Sequence, residues 1–272
     1  MEMLTETDER KVIQTDAAVI SNDEVIARHK VLVCHAPEIA RMARPGHFVG
    51  AFASGTVNSI LRKPFSIFQA DLTAGTISLL YKIHGATTFG MSAKRPGDTL
   101  DIVGPLGGRV FRADPRADAT HVMVGGGYGV PPLVFLAERI KQDNPGARVR
   151  FLVGARTRAL LLCEAQIAGL GITPEMTTED GSHGVKGRVT DVLKGIASAN
   201  AAFCVYTCGP TPMMQAVSDI CLAAKTPCQV SLEVPMPCGI GVCMGCVVDT
   251  AGAGRVRACT DGPVFEAADV VW

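Results

Sequence analysis

Four cysteines near the C-terminal end of the 272-residue chain, Cys238, Cys243, Cys246 and Cys259, are separated by four, two and twelve residues. A C-x4-C-x2-C run followed by a distant cysteine is the ligand spacing of plant-type 2Fe-2S clusters. Gly239, Gly241 and Gly245 fit that chemistry, because glycine lets the backbone wrap tightly and aim N–H groups at negatively charged sulfurs. Hydrogen bonds of this kind help set a reduction potential. A structural zinc on four thiolates is the alternative, although zinc modules pair their ligands in two short knuckles and Cys259 stands alone. The chain has ten cysteines. Cys34, Cys163, Cys204, Cys221 and Cys228 lie in apolar or helical contexts and read as small buried hydrophobes.

A second chemistry is suggested by residues 124–132, where Gly125, Gly126, Gly127 and Gly129 follow an apolar run and precede a helical pattern. At such a strand-to-helix turn, backbone amides and a helix N-terminus can cradle a phosphate. The run is not G-x-G-x-x-G, so a purely structural turn is the alternative for the loop taken alone. Tyr206-Thr207-Cys208-Gly209-Pro210 repeats the arrangement at the end of another expected strand. Two small-residue turns at the C-terminal ends of parallel strands define a ligand crevice, with Cys208, Gly209 and Pro210 as further candidates for its wall. Arg156 and Arg158 fall in the loop after the second strand of this unit, where a basic pair could grip a 2′-phosphate; solvated loop residues are the competing reading. No catalytic triad is visible, and His121 and His183 read as strand-edge and loop residues.

Positioning these groups takes more than one folded unit, and 272 residues suit two with a small appendage. Residues 18–20, 29–33, 47–51, 64–68, 76–83 and 99–103 are short β-branched or alternating runs between turn signals, which suggests an antiparallel barrel or sandwich. A single helical turn is expected at 37–43. From residue 121 the pattern becomes strand, glycine turn, helix, strand, with further strands near 175–178 and 203–207 and helices at 132–141, 187–197 and 211–224. This is βαβ grammar and predicts a parallel sheet. The expected division is a barrel domain at 1–117, an α/β domain at 118–231 and a cysteine module at 232–272, the last too short for an ordinary core and so in need of a metal centre.

Composition narrows the function. Twenty-six Lys and Arg against 26 Asp and Glu leave no net charge to draw the chain to nucleic acid or anionic lipid. The first ten residues carry four acids rather than a basic n-region, and the apolar stretch 122–137 is broken by glycines and prolines. Neither a signal peptide nor a membrane span is expected, and the reduced thiols suit a cytoplasmic protein.

Taken together, these blocks resemble the ferredoxin-reductase-like flavoproteins, and within them the electron-transfer subunits of class 1B dihydroorotate dehydrogenases, almost end to end. In that family an Arg-Pro-x-Ser segment of the barrel holds FAD. Its counterpart here is Lys63-Pro64-Phe65-Ser66, preceded by Arg62. Lysine keeps the charge for the flavin pyrophosphate but lacks the planar fork of arginine, so both Arg62 and Lys63 are candidates for that contact. Leu80-Tyr81-Lys82 is similar to the second FAD-binding strand, and Thr87-Thr88 stands where the family has Gly-Thr. The resemblance places the NAD phosphates on the glycine loop and Gly209-Pro210, and Cys208 beside the hydride path. The block Cys259-Thr260-Asp261-Gly262-Pro263-Val264-Phe265 is specific to the subfamily.

The function implied is an electron relay in pyrimidine biosynthesis. A catalytic dihydroorotate dehydrogenase subunit carrying FMN would oxidise dihydroorotate, and electrons would pass through a 2Fe-2S cluster and FAD to NAD. A heterotetramer of two chains of each kind is implied. The apolar residues Ile240, Val242 and Met244 of the cluster loop suit a docking surface, with packing under that loop as the alternative. One alternative is the small subunit of a ferredoxin, sulfide or hydrogen-oxidising complex. Another is a zinc-stabilised nucleotide-binding regulator without redox chemistry.

Overall fold

The computed structural model describes residues 11–53, 60–116, 118–198 and 202–272. The N-terminal half contains β1 (Ile13–Ile26), β2 (His29–His35), α1 (Pro37–Met42), β3 (Phe48–Phe52), β4 (Lys63–Ser66), β5 (Gln69–Asp71), β6 (Thr76–Lys82), α2 (Ala86–Ser92) and β7 (Thr99–Leu106). The strands pair antiparallel in the order β4-β3-β7-β1-β2-β6-β5. The outer strands β4 and β5 are separated along the chain only by Ile67 and Phe68. The Ile67 N–H donates to His47 O at 3.0 Å and the Phe68 N–H to Ser78 O at 2.9 Å, so the chain crosses from one edge to the other and curls the sheet into the expected barrel. Alternate residues Ile77, Leu79 and Tyr81 of β6 point into its core with Leu32, Leu100 and Ile102.

Two elements differ from expectation. β1 is much longer than the three residues its apolar content suggests, because its polar face is exposed and its pairing rests on backbone bonds to β2 and β7. α2, Ala-Thr-Thr-Phe-Gly-Met-Ser, has weak helix formers at five of its seven positions, Thr87, Thr88, Phe89, Gly90 and Ser92. Tertiary contacts hold it: Met91 is buried in the barrel, and Asn22 Nδ2 donates to Met91 O at 2.8 Å and Lys94 O at 3.0 Å.

The second sheet is formed by β8 (Thr120–Gly126), β9 (Val149–Ala155), β10 (Pro174–Thr178), β11 (Val185–Lys186), β12 (Phe203–Cys208), β13 (Cys228–Ser231) and β16 (Val264–Glu266), in the order β11-β10-β9-β8-β12-β13-β16. The pairs are parallel except β13 with β16. Helices α3 (Val130–Asp143), α4 (Glu164–Gly169), α5 (Val189–Ala197) and α6 (Thr211–Ala223) connect them. Met123, Phe151 and Val153 pack with α3 on one face, while Val122, Val124 and Leu152 pack with α5 and α6 on the other. Coverage of both faces explains why the strands read as nearly continuous apolar runs. His121, expected at a strand edge, is instead the second residue of the central strand β8 and is buried, with Nδ1 3.2 Å from Tyr206 Oη. The sequence reading missed this because an isolated histidine carries no signal of which strand ends up central.

After β13 the chain leaves the sheet, forms the hairpin β14 (Val247–Thr250) and β15 (Gly254–Arg257) and the single turn α7 (Ala258–Asp261), then returns as β16 along β13. Cys246, Ala258, Cys259 and Phe265 share one apolar core with Val122 and Val205 of the sheet. The segment 232–272 therefore draws stability from the main sheet as well as from any metal centre. Among the described residues, no helix is long and apolar enough to cross a membrane.

Candidate functional site

Strand order runs outward from β8 through β9 to β10 on one side and from β12 to β13 on the other, so β8 and β12 flank the point where the topology reverses. Their C-terminal ends are the glycine loop and Cys208, the place where an open parallel sheet leaves a crevice. A cavity of about 580 Å³ lies there, walled by Gly126, Gly127 and Tyr128, by Pro210 and Met213, and by Gly154, Ala155, Arg156, Glu179 and Arg188 at the ends of the outer strands. Arg158 is not in this wall. Nor are Gly125, Gly129 and Gly209, whose Cβ positions are occupied by neighbouring atoms. A Cβ on Gly129 would lie 2.1 Å from the Cys208 carbonyl, and Gly209, at φ +150°, has Gly126 O 2.8 Å from its Cβ position. These contacts bring the two turns together and leave Gly126 and Gly127 facing the crevice.

A second cavity of about 540 Å³ separates the barrel from the sheet. Pro64, Phe65 and Ser66 of β4 and Leu80, Tyr81 and Lys82 of β6 form one wall; Pro131, Cys208, Ser231, Glu233 and Met236 form another. The Tyr81 hydroxyl donates to Asn22 Oδ1 at 2.8 Å, and its ring meets Phe65 edge-on at 6.2 Å. Apolar and aromatic walls with a few fixed polar groups, at this volume, suit a flavin ring system. Lys63 is exposed on β4, and Arg62 is ion-paired with Asp101. Neither they nor Thr87 and Thr88 are in this wall. Thr88 Oγ1 does accept the N–H of His84, a wall residue, at 2.7 Å and thereby holds its backbone.

Lys82 and Tyr128 belong to both cavities, so the two are contiguous. At the junction the buried His29 fixes Tyr128. His29 Nδ1 donates to Ala27 O at 2.8 Å, which orients the ring so that Nε2 lies 2.8 Å from the Tyr128 hydroxyl. Cys208 Sγ lies 4.0 Å from Glu233 Oε1. Burial, and then the Glu233 carboxylate, push the Cys208 thiol well above its usual value. Glu233 opens onto the crevice yet is walled by protein on most sides, and that desolvation raises its carboxyl. Sequence reasoning missed Glu233, Tyr128 and His29. The one local signal was an acid set directly after an apolar strand, in Ser231-Leu232-Glu233.

The four C-terminal cysteines come together in pairs. Cys246 and Cys259 are buried with their sulfurs 3.2 Å apart. Cys238 and Cys243 lie on the more open side, where Cys243 Sγ accepts the Gly245 N–H at 3.4 Å. Burial raises Cys238, but hydrogen bonds from Cys243, Ile240 and Val242 outweigh it and bring the thiol down to about 6. A thiolate cradled by backbone N–H groups is what a cluster with anionic sulfurs requires. Two pairs of cysteines match a two-iron centre. Cys34, Cys163, Cys204, Cys221 and Cys228 are buried, as expected of small hydrophobes.

Comparison with known proteins agrees with this geometry. A family model described as the iron-sulfur cluster binding domain of dihydroorotate dehydrogenase B matches residues 233–271, and one described as the oxidoreductase NAD-binding domain matches residues 123–219. The dihydroorotate dehydrogenase B (NAD(+)) electron transfer subunit of Geobacillus kaustophilus is 38% identical over 236 residues, covering 86% of this chain and 89% of its own. That of Desulforamulus reducens is 35% identical over 260 residues, covering 94% and 98%. The solved structure of an NADH-dependent reduced ferredoxin-NADP oxidoreductase superposes with a TM-score of 0.82 at 28% identity, over 95% of this chain and 90% of that one.

Proposed function

Because the chain belongs to the family of dihydroorotate dehydrogenase B electron transfer subunits, we propose that it relays electrons from dihydroorotate oxidation on a partner subunit to NAD. One observation carries the relay. Ser231, Leu232, Glu233 and Met236 wall the flavin-sized cavity, and the cluster ligand Cys238 follows Met236 by two residues, at most about 7.6 Å between Cα atoms. When bound, FAD and a 2Fe-2S cluster together convert single electrons into the hydride that NAD accepts. Residues 1–117 with the wall of β4 and β6 serve FAD, 118–231 serve NAD and 232–272 serve the cluster. Cys208 packs beside the hydride path. Since dihydroorotate loses two electrons and the cluster side carries one at a time, the partner needs its own converter. FMN in the partner, a heterotetramer of two chains of each kind and a cytoplasmic setting complete the reading.

The cluster loop supplies the docking surface. Ile240, Val242 and Met244 are 52%, 75% and 56% exposed. Met244 also holds a left-handed φ of +59°, which costs about 1 kcal/mol in a residue with a side chain. Local stability would favour glycine there, so an exposed methionine at that cost points to an external contact. The isolated chain should pass electrons from NADH to ferricyanide but reduce no NAD from dihydroorotate until the catalytic subunit is added. Val242→Asp should abolish that rescue with the cluster spectrum unchanged. Turnover of dihydroorotate by the pure chain would refute the relay, and full rescue of Val242→Asp would refute the surface.

Electrons arriving singly bring no proton, whereas each hydride delivered to NAD carries one. The crevice must therefore take up a proton per turnover, and Glu233, whose carboxyl desolvation raises, stands beside Cys208 to carry it. Dihydroorotate-dependent NAD reduction by the complex should fall as pH rises through the Glu233 pKa, because the protonated form is the competent one. Glu233→Gln should slow the reaction by about tenfold or more and remove that limb of the profile. An unchanged profile would exclude Glu233 as the proton holder.

A further inference from the structure

The outer end of the nucleotide crevice carries three charged groups that none of the preceding roles uses. Arg156 directly follows β9 and Glu179 directly follows β10, and since Thr178 pairs with Ala155 the two are register neighbours. Both line the crevice with Arg188. Among the described residues no ion pair joins Glu179 to either arginine. β10 lies three strand spacings from β12, about 14 Å, so a dinucleotide with its nicotinamide at Cys208 lays its adenosine ribose toward these residues.

Their backbone is held firmly. The Glu179 N–H donates to Ala155 O at 3.1 Å and the Asp180 N–H to Arg156 O at 3.2 Å, tying the two loops together. The Arg158 N–H donates to Ser182 Oγ at 2.8 Å, and the Ser182 hydroxyl donates to Asp180 Oδ1 at 2.6 Å. Thr178 Oγ1 donates to His183 O at 2.7 Å, closing the turn beyond. A carboxylate and a guanidinium are thus presented side by side on a preorganised support.

We propose that Glu179 makes this crevice select the unphosphorylated dinucleotide, and that Arg156 and Arg188 form a latent 2′-phosphate site which Glu179 overrides. The inference rests on the reading that this crevice takes NAD. A carboxylate accepts hydrogen bonds from the two neighbouring ribose hydroxyls, whereas a 2′-phosphate offers it only negative charge. Arginine has the opposite preference, its planar fork matching a phosphate. In the common dinucleotide-binding layout the acid stands near the end of the second strand. Arg156 occupies that place here, and the acid comes from the third strand.

The test uses the chain with its flavin and cluster, ferricyanide as acceptor, and kcat/KM for NADH and NADPH. Calorimetric binding of AMP and of adenosine 2′,5′-bisphosphate supplies a readout independent of turnover. Glu179→Gln should raise the NADPH-to-NADH ratio by about tenfold or more and tighten the bisphosphate relative to AMP. Adding Arg156→Ala and Arg188→Ala should reverse both gains. A ratio within about twofold of wild type in Glu179→Gln would overturn the proposal, as would gains that survive loss of both arginines. Should Met213→Trp, which fills the crevice, leave NADH turnover unchanged, the placement of NAD itself fails, and the proposal with it.

Discussion

Cys259→Ser is expected to reduce dihydroorotate-dependent NAD reduction to background while NADH still reduces ferricyanide. Cys259 lies on α7, 2% exposed, with its sulfur 3.2 Å from that of Cys246. Serine is a hard ligand whose hydroxyl does not ionise at neutral pH, so it leaves one iron without its soft thiolate. Wild-type protein prepared anaerobically should contain iron and acid-labile sulfide in near-equal amounts, and the variant should lose both. The crevice around Cys208 and Tyr128 contains none of the four cluster ligands, which is why direct hydride acceptance from NADH should persist. The loss of order should be local as well. Phe265 and β16 remain anchored in the main core, so amide exchange should accelerate over β14, β15 and the loop before them, with the parallel sheet unaffected. Stoichiometric zinc without sulfide in the wild type would overturn the cluster assignment outright.

Gly129→Ala should strongly destabilise the chain's nucleotide half. The added Cβ would sit 2.1 Å from the carbonyl carbon and oxygen of Cys208 and 2.3 Å from Gly209 N. All three are backbone atoms, so no rotamer change relieves the clash and the ends of β8 and β12 must move apart. Overpacking of this kind costs about 3 kcal/mol or more, a large part of the stability of an ordinary domain. The expected result is a marked fall in Tm, with loss of FAD from the neighbouring cavity that Cys208 and Tyr128 wall. Gly127→Ala is the control. Nothing lies within 4 Å of its Cβ position, but its φ is +55°, so it should cost about 1 kcal/mol and keep FAD. Equal behaviour of the two variants would show that contact between the turns is not what Gly129 provides.

Both expectations depend on features that differ in how far they can be read from the chain. The cluster ligands were legible because their spacing is covalent: four, two and twelve residues bring the same thiolates together wherever the segment packs. The barrel and the parallel sheet were legible through periodicity, which reports the face each residue presents. The long β1 and the helix α2 were not, since backbone pairing and the Asn22 side chain hold them rather than their own composition. The active crevice lay further from view. Glu233 meets Cys208, 25 positions away, because β12 and β13 are parallel neighbours with Cys208 opposite Ser231. Arg156 and Glu179 meet for the same reason on β9 and β10. Gly129 and Gly209 read as phosphate contacts in the sequence, and only the approach of β8 to β12 shows that each also packs against the other turn. The sequence by itself determined the cluster ligands through local spacing and pointed to a nucleotide crevice through local turn chemistry, while FAD entered through the family resemblance. The tertiary structure decided which side chains surround them, because strand order and register are set by the whole sheet's burial and leave no mark at any single position.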